Sequence, residues 1–393
     1  MLPKSLAAAV AAASLFGSSF AAPLVAPAKS AVQLVERASG SDFNVTYSSK
    51  YTEHLPRTLI IATGGTIAGS SDSNTDTTTY TAGTVGIEQL IVAVPELLNV
   101  SNVDGIQFSN IASESISDGM ALNLSRLVNR ALCSNKSEWD AVVITHGTDT
   151  LEETAFFIDA TLQCDKPVVV SGAMRPSTAI GADGGNNLLS AVTTAVTPSS
   201  RNRGTLIVLN DRICQAWYCQ KTQANTVDTF ASPEQGYVGT LLSTKPLYYS
   251  TAAQPTFKRV YDLSNVTSLP PVEVLIGYQG ADLSLMDTAV NAGAKGIIIA
   301  GVGSGSVSET GKAHVAKAVE KGVPVVRSTK INVGFSVPAP AYANTIAAGS
   351  LNPVKARRLL QILLALGKSD DEVKQAFEGE LQGFLTLDLK KYY

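Results

Sequence analysis

The sequence is poor in charged residues and in histidine. Charged residues make up 16% of the 393 residues and hydrophobic residues 45%, the reverse of the balance in disordered chains, which excludes that class. The net charge is only −3 and no long run of Lys or Arg occurs, so we expect no binding of nucleic acid through its phosphates. The three histidines and four cysteines form neither His-Glu-x-x-His nor Cys-x-x-Cys. No metal site is therefore expected.

Long apolar segments are also absent, and the longest lies at the start of the chain. Lys4 precedes an Ala- and Leu-rich run over residues 6–16, and the small-x-small pattern Ser19-Phe20-Ala21 follows it. This run is too short to cross a membrane. It predicts a signal peptide over residues 1–21. We therefore expect a secreted protein, located outside the cell, in the cell wall or in the periplasm, with no membrane partner.

The few cysteines and the Asn-x-Ser/Thr sequons fit export. Disulfides are favoured in exported proteins, and four cysteines allow three pairings. Cys214 and Cys219 flank a short loop that they could close, which would leave Cys133 for Cys164. Together with the signal peptide, the sequons favour a glycosylated eukaryotic protein. The sequon asparagines are Asn44, Asn99, Asn123, Asn135 and Asn265.

The length of the chain indicates more than one domain. Residues 22–56 are rich in Ala, Pro and Ser and weakly patterned, which predicts a flexible leader. Residues 57–250 alternate short apolar runs with amphipathic helical patterns, as expected of a parallel sheet covered on both faces. Residues 251–271 are rich in Ser, Thr, Pro and Asn and predict a linker. A smaller α/β unit follows over residues 272–393. The fold class predicted is thus two α/β domains with mostly parallel sheets, the larger N-terminal one doubly wound.

Two turns rich in hydroxyl groups follow predicted strands. They are Thr63–Thr66 and Thr145–Thr150, and ligands of open parallel sheets bind beyond the carboxyl ends of the strands. Glycines in both turns leave N–H groups free to hold an oxyanion. Threonine is a weak nucleophile that needs a base. Asp149 could orient a lysine for that purpose, and Lys221 is a candidate that the pattern alone does not select.

Plainer interpretations compete with catalysis at these positions. A Gly-Gly turn after a strand is more often a simple connection, and a threonine there is more often a helix N-cap. Asp149 could cap a helix in the same way. Tyr80 could be a loop aromatic packed on the core, and Lys221 a solvated surface charge. His146 is favoured as a structural histidine rather than a catalytic base.

Several longer motifs stand out, namely Ala62–Gly69, Ile144–Thr154, Lys166–Val168, Gly172–Ser177, Asn210–Asp211, Ala300–Gly303, Val326–Ser328 and Gly349–Pro353. They resemble the signature segments of the bacterial-type L-asparaginases, most of all the exported type II branch, and indicate a fungal-like secreted member. The resemblance covers about residues 57–367. It implies hydrolysis of the side-chain amide of L-asparagine to L-aspartate and ammonia, with no cofactor and no metal, by a homotetramer.

The resemblance also implies a role for single residues in catalysis. Thr66 is implied as the nucleophile that forms a β-acyl-enzyme, and Tyr80 as its activating partner on a loop that closes over the substrate. Thr148, Asp149 and Lys221 are implied as a second set, which activates a hydroxyl group or the hydrolytic water.

Substrate binding and one disulfide are implied in the same way. Ser113 and Glu114 would clamp the α-groups of the substrate, and Thr148 would bind it too. Asp149 would hold its ammonium group, and the carbonyl of Ala173 would accept a hydrogen bond from the scissile amide. Cys133 and Cys164 stand where the exported bacterial enzymes carry their disulfide, and Cys214 and Cys219 stand outside that pattern.

Two departures from the family pattern concern substrate affinity and the choice between asparagine and glutamine. The segment Ile331–Ile346 contains no Asp or Glu, where the family sends an acid to the site of a neighbouring subunit. Gly280 replaces an asparagine that tunes the site. The alternatives are therefore an amidohydrolase that prefers L-glutamine and a non-enzymatic binding protein that has kept the fold.

Overall fold

A computed structural model describes residues 43–331 and 333–386. The predicted signal peptide and residues 22–42 of the predicted leader lie outside these residues.

The strands are β1 (Tyr47–Ser48), β2 (Arg57–Gly64), β3 (Asn102–Ile111), β4 (Ala141–Thr145), β5 (Val168–Ser171), β6 (Thr205–Leu209), β7 (Arg212–Gln215), β8 (Gln220–Lys221), β9 (Phe230–Ala231), β10 (Gly239–Leu242), β11 (Lys245–Tyr248), β12 (Val272–Ile276), β13 (Gly296–Gly301), β14 (Val325–Thr329) and β15 (Ile346–Ala347). The helices are α1 (Ile87–Val92), α2 (Asp118–Cys133), α3 (Leu151–Thr161), α4 (Gly184–Val196), α5 (Leu285–Asn291), α6 (Glu309–Glu320), α7 (Pro353–Ala365) and α8 (Asp370–Leu385).

The larger sheet has the strand order β1-β3-β2-β4-β5-β6-β7-β10-β11 in the described part of the chain. Its centre, from β3 to β6, is parallel, and antiparallel strands extend it at both ends. Ile60 points to a core formed with α1 and α4. Its neighbour Ile61 points to a core formed with α2 and α3. Helices thus cover both faces, which is why the central strands are apolar throughout, and the predicted doubly wound α/β class is confirmed.

The smaller sheet has the order β12-β13-β14-β15 and is parallel. Helices α5 and α6 pack on one face, where Met286 and Val315 meet Ile297. Helix α7 packs on the other face and also contacts α3 of the larger sheet. One apolar core therefore joins the helices of both sheets. Among the described helices, none combines the length and the apolar composition that a bilayer crossing needs.

The expectation of a flexible leader over residues 22–56 is wrong for residues 43–56. Strand β1 pairs antiparallel with β3, with Tyr47 opposite Gly105, and Tyr47 is only 2% exposed. The ring of Phe43 packs edge-on against Trp139 at 4.9 Å. A two-residue strand is too short to create a periodic pattern, so β1 could not be predicted from the sequence.

The segment between β11 and β12 contains neither helix nor strand, yet it packs on the fold. Leu263 and Val266 are buried in the core shared by α3 and α7. The guanidinium of Arg126 on α2 donates to the carbonyl of Val266. The region predicted as a linker is therefore fixed against both sheets.

Both disulfides form in the structure, Cys133 with Cys164 and Cys214 with Cys219. The first joins the end of α2 to the segment after α3, across 31 residues. The second closes a loop of five residues between β7 and β8. In the chain-entropy model the longer closure stabilises by about 4 kcal/mol and the shorter by about 2 kcal/mol. Of the three possible pairings, the structure therefore has the one in which Cys214 and Cys219 close the short loop.

Candidate active site

The two hydroxyl-rich turns lie side by side at the carboxyl ends of β2 and β4. Gly65 has a φ of 83°, and a Cβ atom there would lie 2.3 Å from the backbone of Gly147. Such a contact excludes any larger residue, so both backbones approach because both positions are glycine. The hydroxyl of Thr63 donates to the carbonyl of Thr145 at 3.0 Å and fixes the pair. Thr66 and Thr148, each one residue further on, are thereby held in neighbouring turns.

Thr66 lies in a short 3-10 turn after β2 and is only 4% exposed. Its hydroxyl is hydrogen-bonded to the hydroxyl of Tyr80. Tyr80 comes directly after a polar segment. In this segment the carboxylate of Asp76 accepts hydrogen bonds from the backbone N–H groups of Thr78 and Thr79. These hydrogen bonds hold the pKa of Asp76 down to about 2. The ring of Tyr80 packs closely over Gly69, so it faces the threonine rather than the apolar core.

Lys221 reaches the second turn from the short strand β8. Its Nζ atom donates to Oγ1 of Thr148 at 3.0 Å and to Oδ1 of Asp149 at 2.6 Å. The lysine side chain is 14% exposed and the aspartate side chain 69%. Lys221 is thus a half-buried partner of the turn, although 72 residues separate it from Asp149. The interpretation of Lys221 as a solvated surface charge is wrong.

Ser113 joins the same site from a 3-10 turn after β3. Its side chain lies against Gly147, where a Cβ atom would be 2.8 Å from that of the serine. The hydroxyl of Thr150 donates to the carbonyl of Ser113 at 2.9 Å. The neighbouring Glu114 is exposed. It lines a surface cleft with Ser113 and Arg357.

Ala173 follows β5 and is fully buried. Two residues that were not predicted from the sequence stabilise the turn in which Ala173 lies. Asp183 accepts from the backbone N–H groups of Met174 and Arg175, and Asn187 donates to the carbonyl of Gly172 at 3.0 Å. The only sign of them in the sequence is the glycine-rich turn before α4.

His146 is a structural residue of this turn. It is fully buried, and its Nδ1 atom lies 2.7 Å from the carbonyl of Gly147, while Nε2 lies 2.9 Å from the hydroxyl of Thr154. A carbonyl can only accept, so Nδ1 carries the proton and Nε2 accepts from Thr154. Burial lowers the pKa of His146 to about 4, although the hydrogen bond to Gly147 opposes that shift. The ring is therefore neutral near pH 7.

The site combines two threonine hydroxyls, each bonded to a group able to exchange protons. The carboxylate of Asp149 and the glycine-rich backbone of the two turns accompany them. Such a set can attack a carbonyl carbon and stabilise the resulting oxyanion. Within residues 43–331 and 333–386, no three His, Cys, Asp or Glu side chains are grouped so that they could hold a metal ion.

Comparison with protein families agrees with this fold. The family model described as Asparaginase, N-terminal, matches residues 57–254. The model described as Glutaminase/Asparaginase C-terminal domain matches residues 271–377. The chain is accordingly a two-domain α/β amidohydrolase. It belongs to the asparaginase family, and the resemblance inferred from its motifs is confirmed.

Individual relatives cover most of the chain. L-asparaginase 2 of Bacillus subtilis is 47% identical over 85% of this chain and 88% of its own. L-asparaginase 2 of Escherichia coli is 42% identical over 82% of this chain and 93% of its own. The crystal structure of a probable cytoplasmic L-asparaginase from Campylobacter jejuni is similar, with a TM-score of 0.78 and 38% identity, over 82% of this chain and 99% of that one.

The buried His146 should make the protein sensitive to acid. Its pKa is about 4 in the folded chain and about 6.5 in the unfolded chain, so the unfolded chain binds the extra proton between these values. The stability that the neutral ring contributes is present above pH 6.5 and lost as the pH falls toward 4, by about 3 kcal/mol in all. Urea unfolding at successive pH values measures this loss.

The variant His146→Asn should flatten this part of the pH dependence. His54→Asn is the matched control, because His54 is exposed and asparagine tolerates its positive φ of 71°. An acid sensitivity in His146→Asn as steep as in the unmodified protein would assign the effect to other groups.

Proposed function

We propose that this protein is an L-asparaginase, which hydrolyses the side-chain amide of L-asparagine to L-aspartate and ammonia. The observation that carries the proposal is the pairing of Thr66 with Tyr80 beside the set of Thr148, Asp149 and Lys221. The names of the relatives support asparagine as substrate. They do not favour the glutaminase-first enzyme or the non-enzymatic binding protein.

Thr66 is the proposed nucleophile. Its Oγ1 atom attacks the amide carbon while its proton passes along the hydrogen bond to the oxygen of Tyr80, and the proton that Tyr80 carried moves to the leaving amide nitrogen. Backbone N–H groups of the glycine-rich turns would stabilise the oxyanion of the tetrahedral intermediate. The carbonyl of Ala173 would hold the amide nitrogen, which takes up a proton and leaves as ammonia. The product of this half-reaction is a β-acyl ester on Thr66.

The second set is proposed to complete the reaction with water. Nζ of Lys221 donates to Oγ1 of Thr148, so the hydroxyl hydrogen of Thr148 is left for another acceptor. A water oriented by Thr148 attacks the ester, which releases aspartate and returns the proton to Thr66. The carboxylate of Asp149, mostly exposed, is placed to pair with the substrate ammonium. Ser113 and Glu114 would hold the α-groups.

We also propose some activity on L-glutamine. One extra methylene in a pocket changes discrimination by only about 1–3 kcal/mol. Residues 331–346 carry no acid in this chain, and Gly280, with a φ of 78°, offers no side chain where the family has an asparagine. Neither departure adds a group that would reject the longer substrate.

The proposed roles predict that Thr66→Ala abolishes ammonia release from both amino acids. Loss of a nucleophile or of a proton acceptor costs roughly 10²–10⁴-fold in rate, so we expect kcat to fall at least 10²-fold in Thr66→Ala and in Tyr80→Phe. Thr66→Ser keeps the hydroxyl and is the matched control, which should retain measurable turnover. Full activity of folded Thr66→Ala would remove Thr66 from the mechanism. Absence of ammonia release by the unmodified protein would overturn the proposed function.

We propose that the chain assembles as a homotetramer. Besides the family, an apolar surface supports this assembly. It lies where the strands of the smaller sheet end, and such patches mark contact surfaces. Its exposed side chains are Ile276, Tyr278, Val302, Ile331, Val333 and Phe335.

Sedimentation of the purified protein should therefore give four times the mass of one chain. The double variant Tyr278→Asp/Ile331→Asp buries two charges in such a contact and should shift the protein to smaller species. Val260→Asp is the control, since Val260 is similarly exposed but lies between β11 and β12. Identical tetramers for both variants would place the contact elsewhere.

We propose secretion and glycosylation as well. The predicted signal peptide supports export, two disulfides are compatible with an oxidising compartment, and all five sequon asparagines are exposed. Expressed in a eukaryotic host, the protein should reach the medium, begin at Ala22, and lose mass on treatment with an N-glycosidase. Retention inside the cell with Met1 intact would contradict export. Replacement of all five asparagines by glutamine is the control for the mass change.

A further inference from the structure

The strand that carries Lys221 is too short to fix this side chain by itself. Strand β8 contains two residues and pairs only with the two residues of β9 among those described, with Lys221 opposite Phe230. An isolated two-stranded ribbon is marginally stable. The distances of 3.0 and 2.6 Å from Nζ to Thr148 and Asp149 therefore require support from outside the ribbon.

Glu152 supplies the first support. The backbone N–H of Lys221 donates to Oε2 of Glu152 at 3.0 Å. Glu152 lies in the first turn of α3, the helix that begins directly after the turn with Thr148 and Asp149. One rigid helix start thus presents the two groups that bind the lysine Nζ and also holds the lysine main chain.

Asn352 fixes the other oxygen of that carboxylate. Its Nδ2 atom lies 3.2 Å from Oε1 of Glu152 and 3.4 Å from the side-chain oxygen of Gln220. Its Oδ1 atom accepts from the backbone N–H of Lys355 at 3.0 Å and so caps α7. The cap determines the orientation of the amide, because only Nδ2 is left to face Glu152.

Lys355, in the first turn of α7, holds the chain just before Lys221. It is 2% exposed, and its Nζ atom donates to the carbonyls of Trp217, at 3.1 Å, and of Cys219. Both carbonyls belong to the loop that the disulfide Cys214–Cys219 closes. Burial lowers the pKa of Lys355 to about 8, and the charge of Glu152 opposes that shift.

We propose that Glu152 and Asn352 are positioning residues for Lys221. Glu152 ties the main chain of the lysine to the helix that presents its partners, and Asn352 holds Glu152 in place from the start of α7. The C-terminal part of the chain thereby sets the position of the lysine that serves the second half-reaction. This inference rests on the function proposed above for its effect on rate, but not for the placement of Lys221.

The bond between Glu152 and Asn352 can be reversed, which gives a specific test. In Glu152→Gln one amide faces the amide of Asn352 donor to donor, and in Asn352→Asp two carboxylates face each other. The double variant Glu152→Gln/Asn352→Asp restores a donor and an acceptor, and the aspartate still caps α7. We expect each single variant to lower kcat on L-asparagine about tenfold, with KM changed less. The double variant should recover most of that loss.

A variant that spares the fold guards against simple destabilisation. Serine is also a good N-cap, so Asn352→Ser keeps the start of α7 and removes the amide that donates to Glu152 and Gln220. We expect it to keep the melting temperature of the unmodified protein and to lose kcat several-fold. Unchanged kcat in Asn352→Ser and Glu152→Gln would overturn the proposal. The proposal would also be overturned if every loss of kcat came with a fall in melting temperature and neither quantity recovered in the double variant.

Nuclear magnetic resonance of lysine-labelled protein separates this inference from the proposed function. The Cε and Nζ resonances of Lys221, assigned by their loss in Lys221→Met, report its surroundings without turnover. They should move in the single variants and return in the double variant. If they do so in a protein without activity on L-asparagine, the positioning stands and the proposed function falls. If they stay unchanged in every variant, the positioning falls, whatever the activity.

Discussion

The contact between the backbones of Gly65 and Gly147 is the constraint on which the candidate site depends. Neighbouring parallel strands hold their ends a fixed distance apart, and only two residues without side chains allow the turns after β2 and β4 to touch. The first turn brings Thr66 with Tyr80, and the second brings Thr148 with Lys221. A side chain at Gly65 would push the two turns apart, and one at Gly147 would displace Ser113.

The parts of the site that lie in these turns could be predicted from the sequence. Strands β2 and β4 are largely apolar, and a turn with glycine and threonine stands at the end of each. The type of each element and its place in the chain are therefore visible in the local sequence. Lys221 could not be selected without the family resemblance. Its partners are 72 and 73 residues away, its strand has two residues, and nothing near it in sequence distinguishes it from a surface lysine.

The lack of a local pattern also explains which parts of the fold could not be predicted from the sequence. Strand β1 and the antiparallel strands β7, β10 and β11 have two to four residues each, too few for a pattern of alternation to show. Tyr47 is buried because β3 offers an edge, which is a property of the assembled sheet. Glu152 and Lys355 likewise look like ordinary helix charges, and only packing shows that both are paired and that Lys355 is buried.

Buried polar groups connect the two halves of the chain at the site. Asn352 and Lys355 come from the region matched by the C-terminal family model, yet their partners Glu152, Trp217 and Cys219 lie in the N-terminal one. A buried carboxylate or ammonium is costly unless hydrogen bonds satisfy it. If α7 moved away, Glu152 and the carbonyls of the disulfide loop would lose their partners just behind Lys221. The smaller sheet packs against α7 and therefore helps to hold the surroundings of Lys221 in place.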